Sequence, residues 1–321
     1  MQYRTEHPVY PVLQAIGKEI TTRVKPKAVV VFSAHWQSPS ADEIHLNNAV
    51  TQPLSEYLSC HVYLSSTSSF IPPSHPSHSL TFSLSLTHTY HLLPPSPYIL
   101  IYITLTQETV YDFYNFPPHF YKATFPSTGS PQLAARIQSL LASHSQPIKT
   151  HALPRGLDHG VFSGFNVAFS PKTNPLNVPL VQVSLFNSED PQSHYALGEA
   201  VCALRSEGVV IICTGMSVHN LRDMRFTRPD GPPLPYVVSF DNALKEAVEA
   251  SPPKVRREKM VEAAARPDAR QAHPWMDHLM PLYVAAGAAG EEDLGKQTWT
   301  KHEGSFAWAQ YRFGELPPLE N

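Results

Sequence analysis

The stretch Ala28-Val29-Val30-Val31-Phe32-Ser33-Ala34-His35-Trp36 is the strongest structural signal in the chain. Its first five residues are apolar, and most are β-branched or aromatic, as in a strand that is buried on both faces of a sheet. The run then ends in a serine, an alanine and a histidine. Ligands of open α/β sheets bind at the carboxyl ends of the central strands, so we expect His35 to be placed for chemistry. The alternative is a hydrogen-bonded histidine that closes the strand.

The composition is that of a globular protein and excludes several classes of function. Of the 321 residues 42% are hydrophobic, and the formal charge of −3 gives no sign of a nucleic-acid or anionic-membrane partner. The three cysteines form no CxxC pair, which indicates neither a disulfide framework nor a thiolate zinc site. No signal-peptide pattern opens the sequence and no run of roughly 18 apolar residues occurs, so we expect a reduced, cytoplasmic protein.

Strand and helix patterns alternate along most of the chain. An amphipathic helix ending before Pro26 precedes the first strand, and a second apolar strand at 209–213 follows a helix at about 192–205. The other predicted elements are a strand at 178–186 and helices at about 133–141, 237–250, 255–265 and 277–287. This alternation predicts a single α/β domain with a central, mostly parallel mixed sheet that is covered by helices on both faces.

Residues 56–107 differ in composition from the rest of the chain. Between Tyr57 and Gln107 there is no Asp, Glu, Lys, Arg, Gly, Ala or Asn, whereas Ser, Thr, Leu, Pro, Tyr and His recur. Surface loops of this length normally carry charges, and core segments show periodicity. We therefore expect a low-complexity, disordered insert and interpret it as a retained intron read in frame; the alternative is a genuine low-complexity insertion. Either way we discount its histidines as ligands: His61, His75, His78, His88 and His91.

Five other histidines stand in distinctive positions. His35 and His219 each follow an apolar strand, and His159 lies between an aspartate and a glycine. That aspartate could orient the imidazole, and the glycine allows close approach of a ligand. His273 precedes a proline, and His278 falls in the first turn of the last predicted helix. Imidazole is the commonest side-chain ligand of zinc, iron and copper, so convergence of these residues at the strand ends predicts a mononuclear metal site.

Four motifs occur in the order in which a known family carries them. They are Ser33-Ala34-His35-Trp36, Leu157-Asp158-His159-Gly160, Ser217-Val218-His219-Asn220-Leu221, and His273-Pro274 with His278-Leu279 and Gly287-Ala288-Ala289-Gly290. Together they resemble the class III extradiol ring-cleaving dioxygenases of the DOPA 4,5-dioxygenase type, in the LigB-like superfamily. The resemblance covers nearly the whole chain outside 56–107, and residues 308–314 resemble the closing strand of that family.

The resemblance implies a non-haem Fe(II) site, sometimes occupied by zinc, in one domain over residues 1–321. By analogy His35 and His278 are metal ligands, and His219 is the acid–base residue and a further candidate ligand. His159 would hydrogen-bond the substrate or bound dioxygen. His273 would shape the start of the last helix and is the runner-up for the third ligand. The implied reaction opens a small-molecule catechol, such as DOPA, to a semialdehyde with O₂ as co-substrate.

The sequence departs from the family pattern at the first ligand. The family carries that histidine in a Ser-His-Gly stretch after its first strand, and no such stretch occurs here. We therefore expect the N-terminal strand and one ligand to be missing, which would weaken metal binding. His7 is a poor substitute because it lies beyond the expected place. Two alternatives stay open: a zinc-dependent hydrolase, and a non-catalytic, truncated product with the same fold.

Overall fold

The computed structural model describes residues 3–49, 107–228 and 231–318. Contacts between residues divide the chain into one compact unit, Met1–Gln52 with Leu105–Asn321, and a second unit, Pro53–Thr104. All described residues belong to the first unit. The interpretation of 56–107 as a disordered insert or a retained intron therefore concerns residues outside the described part, except for Gln107. In the described ranges no helix combines the length and apolar character that a membrane crossing needs.

Strands and helices alternate through the described residues. The strands are β1 (Ala28–Gln37), β2 (Glu43–Asn47), β3 (Thr109–Val110), β4 (Lys149–Leu153), β5 (Leu157–Asp158), β6 (Leu180–Leu185), β7 (Val209–Thr214), β8 (Val218–His219), β9 (Gly295–Trp299), β10 (His302–Glu303), β11 (Phe306–Ala307) and β12 (Gln310–Phe313). The α-helices are α1 (Val9–Glu19), α2 (Pro131–Ser143), α3 (His159–Ala168), α4 (Pro191–Val201), α5 (Leu221–Met224), α6 (Pro235–Val248), α7 (Arg256–Ala264), α8 (Ala269–Ala272) and α9 (Met280–Ala288). A π-helical turn, Ile20–Val24, extends α1.

The strand β1 lies inside a five-stranded sheet with the order β4-β2-β6-β1-β7. It pairs in parallel with both β6 and β7, β2 pairs in parallel with β4, and β2 meets β6 in antiparallel orientation. Successive β1 side chains enter two different cores. Val30 and Phe32 belong to the core that contains residues of α4 and α9, whereas Val29 and Val31 belong to the core that contains residues of α3. The predicted mixed, mostly parallel sheet with helices on both faces is confirmed.

The two apolar strands differ from the prediction in extent and burial. β1 continues to Gln37, so His35 lies in its last part, beyond Ser33, the final residue that pairs with β7. β7 lies at the edge of the sheet, and its residues after Val209 are half-buried rather than buried. The apolar run of β7 predicts a buried strand, but these residues line a cavity. Their side chains are therefore partly accessible to solvent.

Two of the predicted site histidines lie at helix starts. His159 is the first residue of α3 and not part of a loop, because the Asp158 carboxylate accepts a hydrogen bond from the Val161 amide and caps the helix. His278 precedes α9, which begins at Met280, instead of lying in its first turn. His159 thus follows β5 directly, whereas His278 lies in the short connection between α8 and α9.

Candidate metal centre

Four histidines singled out from the sequence lie next to one another in the structure. The Nε2 atoms of His35 and His278 are 3.2 Å apart. The ring centroids of His35 and His159 are 3.9 Å apart. The ring of His219 stacks on that of His278, with centroids 3.7 Å apart and planes inclined by 13°. The fold therefore brings together imidazoles from β1, α3, β8 and the segment before α9.

The two facing Nε2 atoms fit a shared metal ion. Two imidazole nitrogens that bind one ion at about 2.0–2.1 Å lie roughly 2.9–3.4 Å from each other. The Nε2 atoms of His35 and His278 are 3.2 Å apart, within this range. Within the described residues, His35, Asp112 and His159 also place one donor atom each within 4.8 Å of one another, close enough to hold a metal ion. Nitrogen and carboxylate donors of this kind suit iron and zinc.

Asp112 is the site residue that the sequence motifs did not reveal. Its Oδ1 lies 2.7 Å from His159 Nδ1, and its Oδ2 lies 3.2 Å from His35 Nδ1. Burial by itself raises the pKa of the Asp112 carboxyl, but hydrogen bonds from His159 and His35 outweigh it and hold the pKa below its usual range. The available signal was a single carboxylate between two aromatic residues, Tyr111 and Phe113.

The motif around His159 works differently from the prediction. Asp158 does not orient the neighbouring imidazole, because its carboxylate accepts a hydrogen bond from Ser33 Oγ at 2.8 Å and caps α3. The close approach at Gly160 is made by the protein itself. A Cβ atom there would lie 2.4 Å from Ser33 Oγ and 2.8 Å from His35 Cδ2. Gly160 therefore leaves the space that the His35 ring occupies.

Burial keeps the imidazoles of His219 and His278 uncharged. Removal from water, together with the nearby histidines, lowers the pKa of His219 to about 3. Burial also lowers the pKa of His278, although the Asp277 carboxylate lies 3.1 Å from its Nδ1 and opposes the shift. Both rings are therefore neutral at pH 7, with a lone pair that can bind a cation or accept a proton.

Two further histidines make bonds outside this cluster. The fully buried His273 places Nε2 2.8 Å from the carbonyl oxygen of Ser217, and burial lowers its pKa to about 4. This bond ties the segment before α9 to the segment after β7, which supports the predicted structural role of His273. His7 Nε2 lies 3.3 Å from both carboxylate oxygens of Glu303, so this nitrogen is engaged by a carboxylate outside the histidine cluster.

The histidine cluster opens into a cavity of about 1540 Å³. Its walls include the four clustered histidines and Asp112, together with apolar side chains from α1, β7 and α9. Ligand cavities in proteins are mostly apolar with a few convergent polar groups. A small aromatic molecule that carries polar substituents on one side matches this distribution.

Comparison with known proteins identifies the family. The model of the catalytic LigB subunit of aromatic ring-opening dioxygenase matches residues 86–314, which is more than half of the chain. The chain belongs to the LigB family. The family that the sequence motifs resemble is thereby confirmed, as is the predicted enzyme class, an extradiol aromatic ring-opening dioxygenase, at the level of the family. The family is also consistent with the metal-binding character of the histidine cluster.

Several relatives of this LigB-family chain carry names that include DOPA dioxygenase. It is 35% identical over 210 residues to a 4,5-DOPA dioxygenase extradiol of Beta vulgaris, an alignment covering 64% of this chain and 74% of the relative. It is 28% identical over 278 residues to a 4,5-DOPA dioxygenase extradiol-like protein of Schizosaccharomyces pombe, covering 87% and 73%. The crystal structure of the uncharacterized protein JW3007 from Escherichia coli K12 has the same fold, with a TM-score of 0.61 at 22% identity over 94% of this chain and 91% of that one.

Proposed function

We propose that this LigB-family chain is a non-haem Fe(II)-dependent extradiol dioxygenase that opens the ring of a catechol, with O₂ as co-substrate, to give a semialdehyde. The observation that carries the proposal is the facing pair of Nε2 atoms on His35 and His278, 3.2 Å apart in the wall of a large, mainly apolar cavity. The names of the relatives favour a DOPA-like catechol as substrate. A cytoplasmic location stays a prediction from the sequence.

The proposed metal ligands are His35 and His278, through their Nε2 atoms. His219 is the candidate third ligand, since its ring stacks on His278 and lines the same cavity. When bound, Fe(II) supplies the electron transfer between a catechol and dioxygen that ring opening requires. The buried, neutral rings of His278 and His219 suit this role because only the uncharged ring offers a lone pair to a metal.

The proposed proton-transfer residue is His219. Its neutral ring faces the cavity and can take a proton from a catechol hydroxyl, then return it while the ring opens. The proposed role of His159 is to hydrogen-bond the substrate or dioxygen. Because Asp112 engages its Nδ1 atom, Nε2 is the atom left for a ligand. Both rings lie beside the proposed metal ligands, His219 against His278 and His159 against His35.

The test is anaerobic loading of the full chain with Fe(II), followed by O₂ uptake with DOPA and detection of the yellow semialdehyde. Turnover is expected for the wild type, and His219→Gln is expected to lose about 100-fold or more of it. His302→Gln is the control, because His302 bonds Asp241 at 2.8 Å and is not part of the cluster. Ring opening that is unaffected by His219→Gln would contradict the proposed proton transfer.

Two other outcomes would favour the alternatives left open by the sequence. Ester or amide hydrolysis by the zinc-loaded chain, without O₂ uptake by the iron-loaded chain, would favour a zinc-dependent hydrolase. Failure to bind either metal, with no turnover, would favour a non-catalytic product of the same fold.

A further inference from the structure

The Asp112 carboxylate stands between two imidazoles and uses a different oxygen for each. Oδ1 is 2.7 Å from His159 Nδ1, and Oδ2 is 3.2 Å from His35 Nδ1. The two imidazole rings lie side by side, with centroids 3.9 Å apart. A single carboxylate therefore contacts the same ring atom, Nδ1, of two neighbouring histidines.

The position of this carboxylate is fixed by the backbone. The amide of His159, the first residue of α3, donates a hydrogen bond to Asp112 Oδ1 at 3.1 Å. The amino end of a helix favours a negative charge. The next residue, Phe113, packs edge-on against His159, with centroids 5.2 Å apart. The His159 amide and the two imidazoles thus hold the Asp112 carboxylate.

An ionised carboxylate can only accept hydrogen bonds. Both imidazoles that face Asp112 must therefore present a proton at Nδ1, and a neutral ring with a proton at Nδ1 has a bare Nε2. In His35 this bare Nε2 faces Nε2 of His278 at 3.2 Å. In His159 it is the nitrogen left over for a ligand in the cavity.

We infer that Asp112 is a positioning residue that holds His35 and His159 together in the tautomer with a bare Nε2, so that one carboxylate prepares both a metal ligand and a substrate-contacting group. The inference deepens the proposed function and rests on it for the roles of the two rings. The tautomers themselves are a property of the metal-free chain. They can be measured whether or not the chain opens catechols.

The decisive experiment is long-range ¹H–¹⁵N NMR of the full, metal-free chain with ¹⁵N-labelled histidine, a measurement that distinguishes the two neutral tautomers. Signals are assigned by their loss in His35→Gln and His159→Gln. In the wild type both rings are expected to carry the proton at Nδ1. In Asp112→Asn the amide offers one oxygen and one NH₂ group, so at least one ring is expected to switch to a proton at Nε2.

A second readout is the affinity for Zn(II) by competition with a chelator. Asp112→Asn is expected to weaken binding about 10–100-fold while one ion still binds per chain, as for other partners of metal-bound histidines. The matched control is Asp268→Asn, whose carboxylate accepts hydrogen bonds from Ser239 and Arg266 instead of histidines. The control is expected to change neither the tautomers nor the affinity.

Three results would overturn the inference. The first is a wild-type spectrum in which His35 or His159 carries its proton at Nε2. The second is an Asp112→Asn spectrum in which neither tautomer changes. The third is complete loss of Zn(II) binding in Asp112→Asn with both tautomers retained, which would make Asp112 a direct ligand. Because the wild-type tautomers are read without Asp112→Asn, this part of the test holds even if that substitution impairs folding.

Discussion

Acid is expected to destabilise the fold through His194, a residue of α4 away from the proposed metal ligands. Its side chain is fully buried, with Nδ1 2.8 Å from the carbonyl oxygen of Asp190, and Nε2 has no hydrogen-bond partner among the described residues. A second proton would leave a buried charge at Nε2 with no acceptor. Burial accordingly lowers the pKa of His194 from 6.5 to about 4.

The sign and size of the effect follow from this shift. Below pH 6.5 His194 becomes protonated in the unfolded chain but stays neutral in the folded chain until the pH approaches 4. The free energy of unfolding therefore falls as the pH drops from 6.5 toward 4. The contribution of His194 is complete above pH 6.5. Between pH 8 and pH 5 its loss amounts to about 2 kcal/mol, and the full shift corresponds to about 3 kcal/mol.

The assay is urea unfolding of the metal-free protein at pH 8 and pH 5, with chelator present so that metal binding does not contribute. The wild type is expected to lose about 2 kcal/mol more than His194→Gln between these pH values. His151→Gln, at an exposed position on β4, is the control and should follow the wild type. An equal pH dependence in the wild type and His194→Gln would refute the reasoning, as would an NMR titration that places the pKa of His194 near 6.5.

Two further predictions concern packing and chain connectivity. Gly287→Ala is expected to lower the free energy of unfolding by about 3 kcal/mol or more, because a Cβ there would lie 2.0 Å from the Tyr195 carbonyl oxygen and force α9 away from α4. The control is Gly164→Ala in α3, where the added Cβ enters open space; it is expected to be neutral or to stabilise the fold by up to about 1 kcal/mol. Urea unfolding measures the free energy of unfolding of both variants, and equal effects of the two substitutions would contradict the packing argument. Replacing 50–106 by a six-residue glycine–serine linker is expected to keep the fold and raise its stability by about 2 kcal/mol, because Asn47 Nδ2 donates to Gln107 Oε1 at 2.7 Å and so joins the two flanks. Loss of the folded circular dichroism spectrum in this deletion variant would contradict that prediction.

Local sequence patterns determined much of the fold. The apolar run of β1 predicted a buried strand correctly. Every residue from Val29 to Phe32 is buried in the sheet, between two cores, so each position in this run favours an apolar side chain. Helix α6 and helix α7 were predicted within a few residues, since amphipathic periodicity depends only on near neighbours. The short strands β2 and β4 escaped prediction, because five residues with mixed burial carry little periodic signal.

The histidines were found from the sequence because strand ends and short motifs are local features. The order of the motifs pointed to the LigB family, and the family match agrees. His35 and His278 are separated by 243 positions, so no spacing rule could show that their Nε2 atoms face each other. Their meeting depends on the segment before α9, where the carbonyl oxygen of His278 accepts a hydrogen bond from the Met216 amide just after β7.

Only the tertiary structure revealed the part played by Asp112. It stands 47 positions before His159 in the chain, whereas Asp158 is adjacent to that histidine. The fold turns the adjacent carboxylate toward Ser33 and the α3 cap, and it brings the distant one against both imidazoles. Sequence patterns report the surroundings of a residue along the chain, whereas a site is set by distances in space, which packing alone decides.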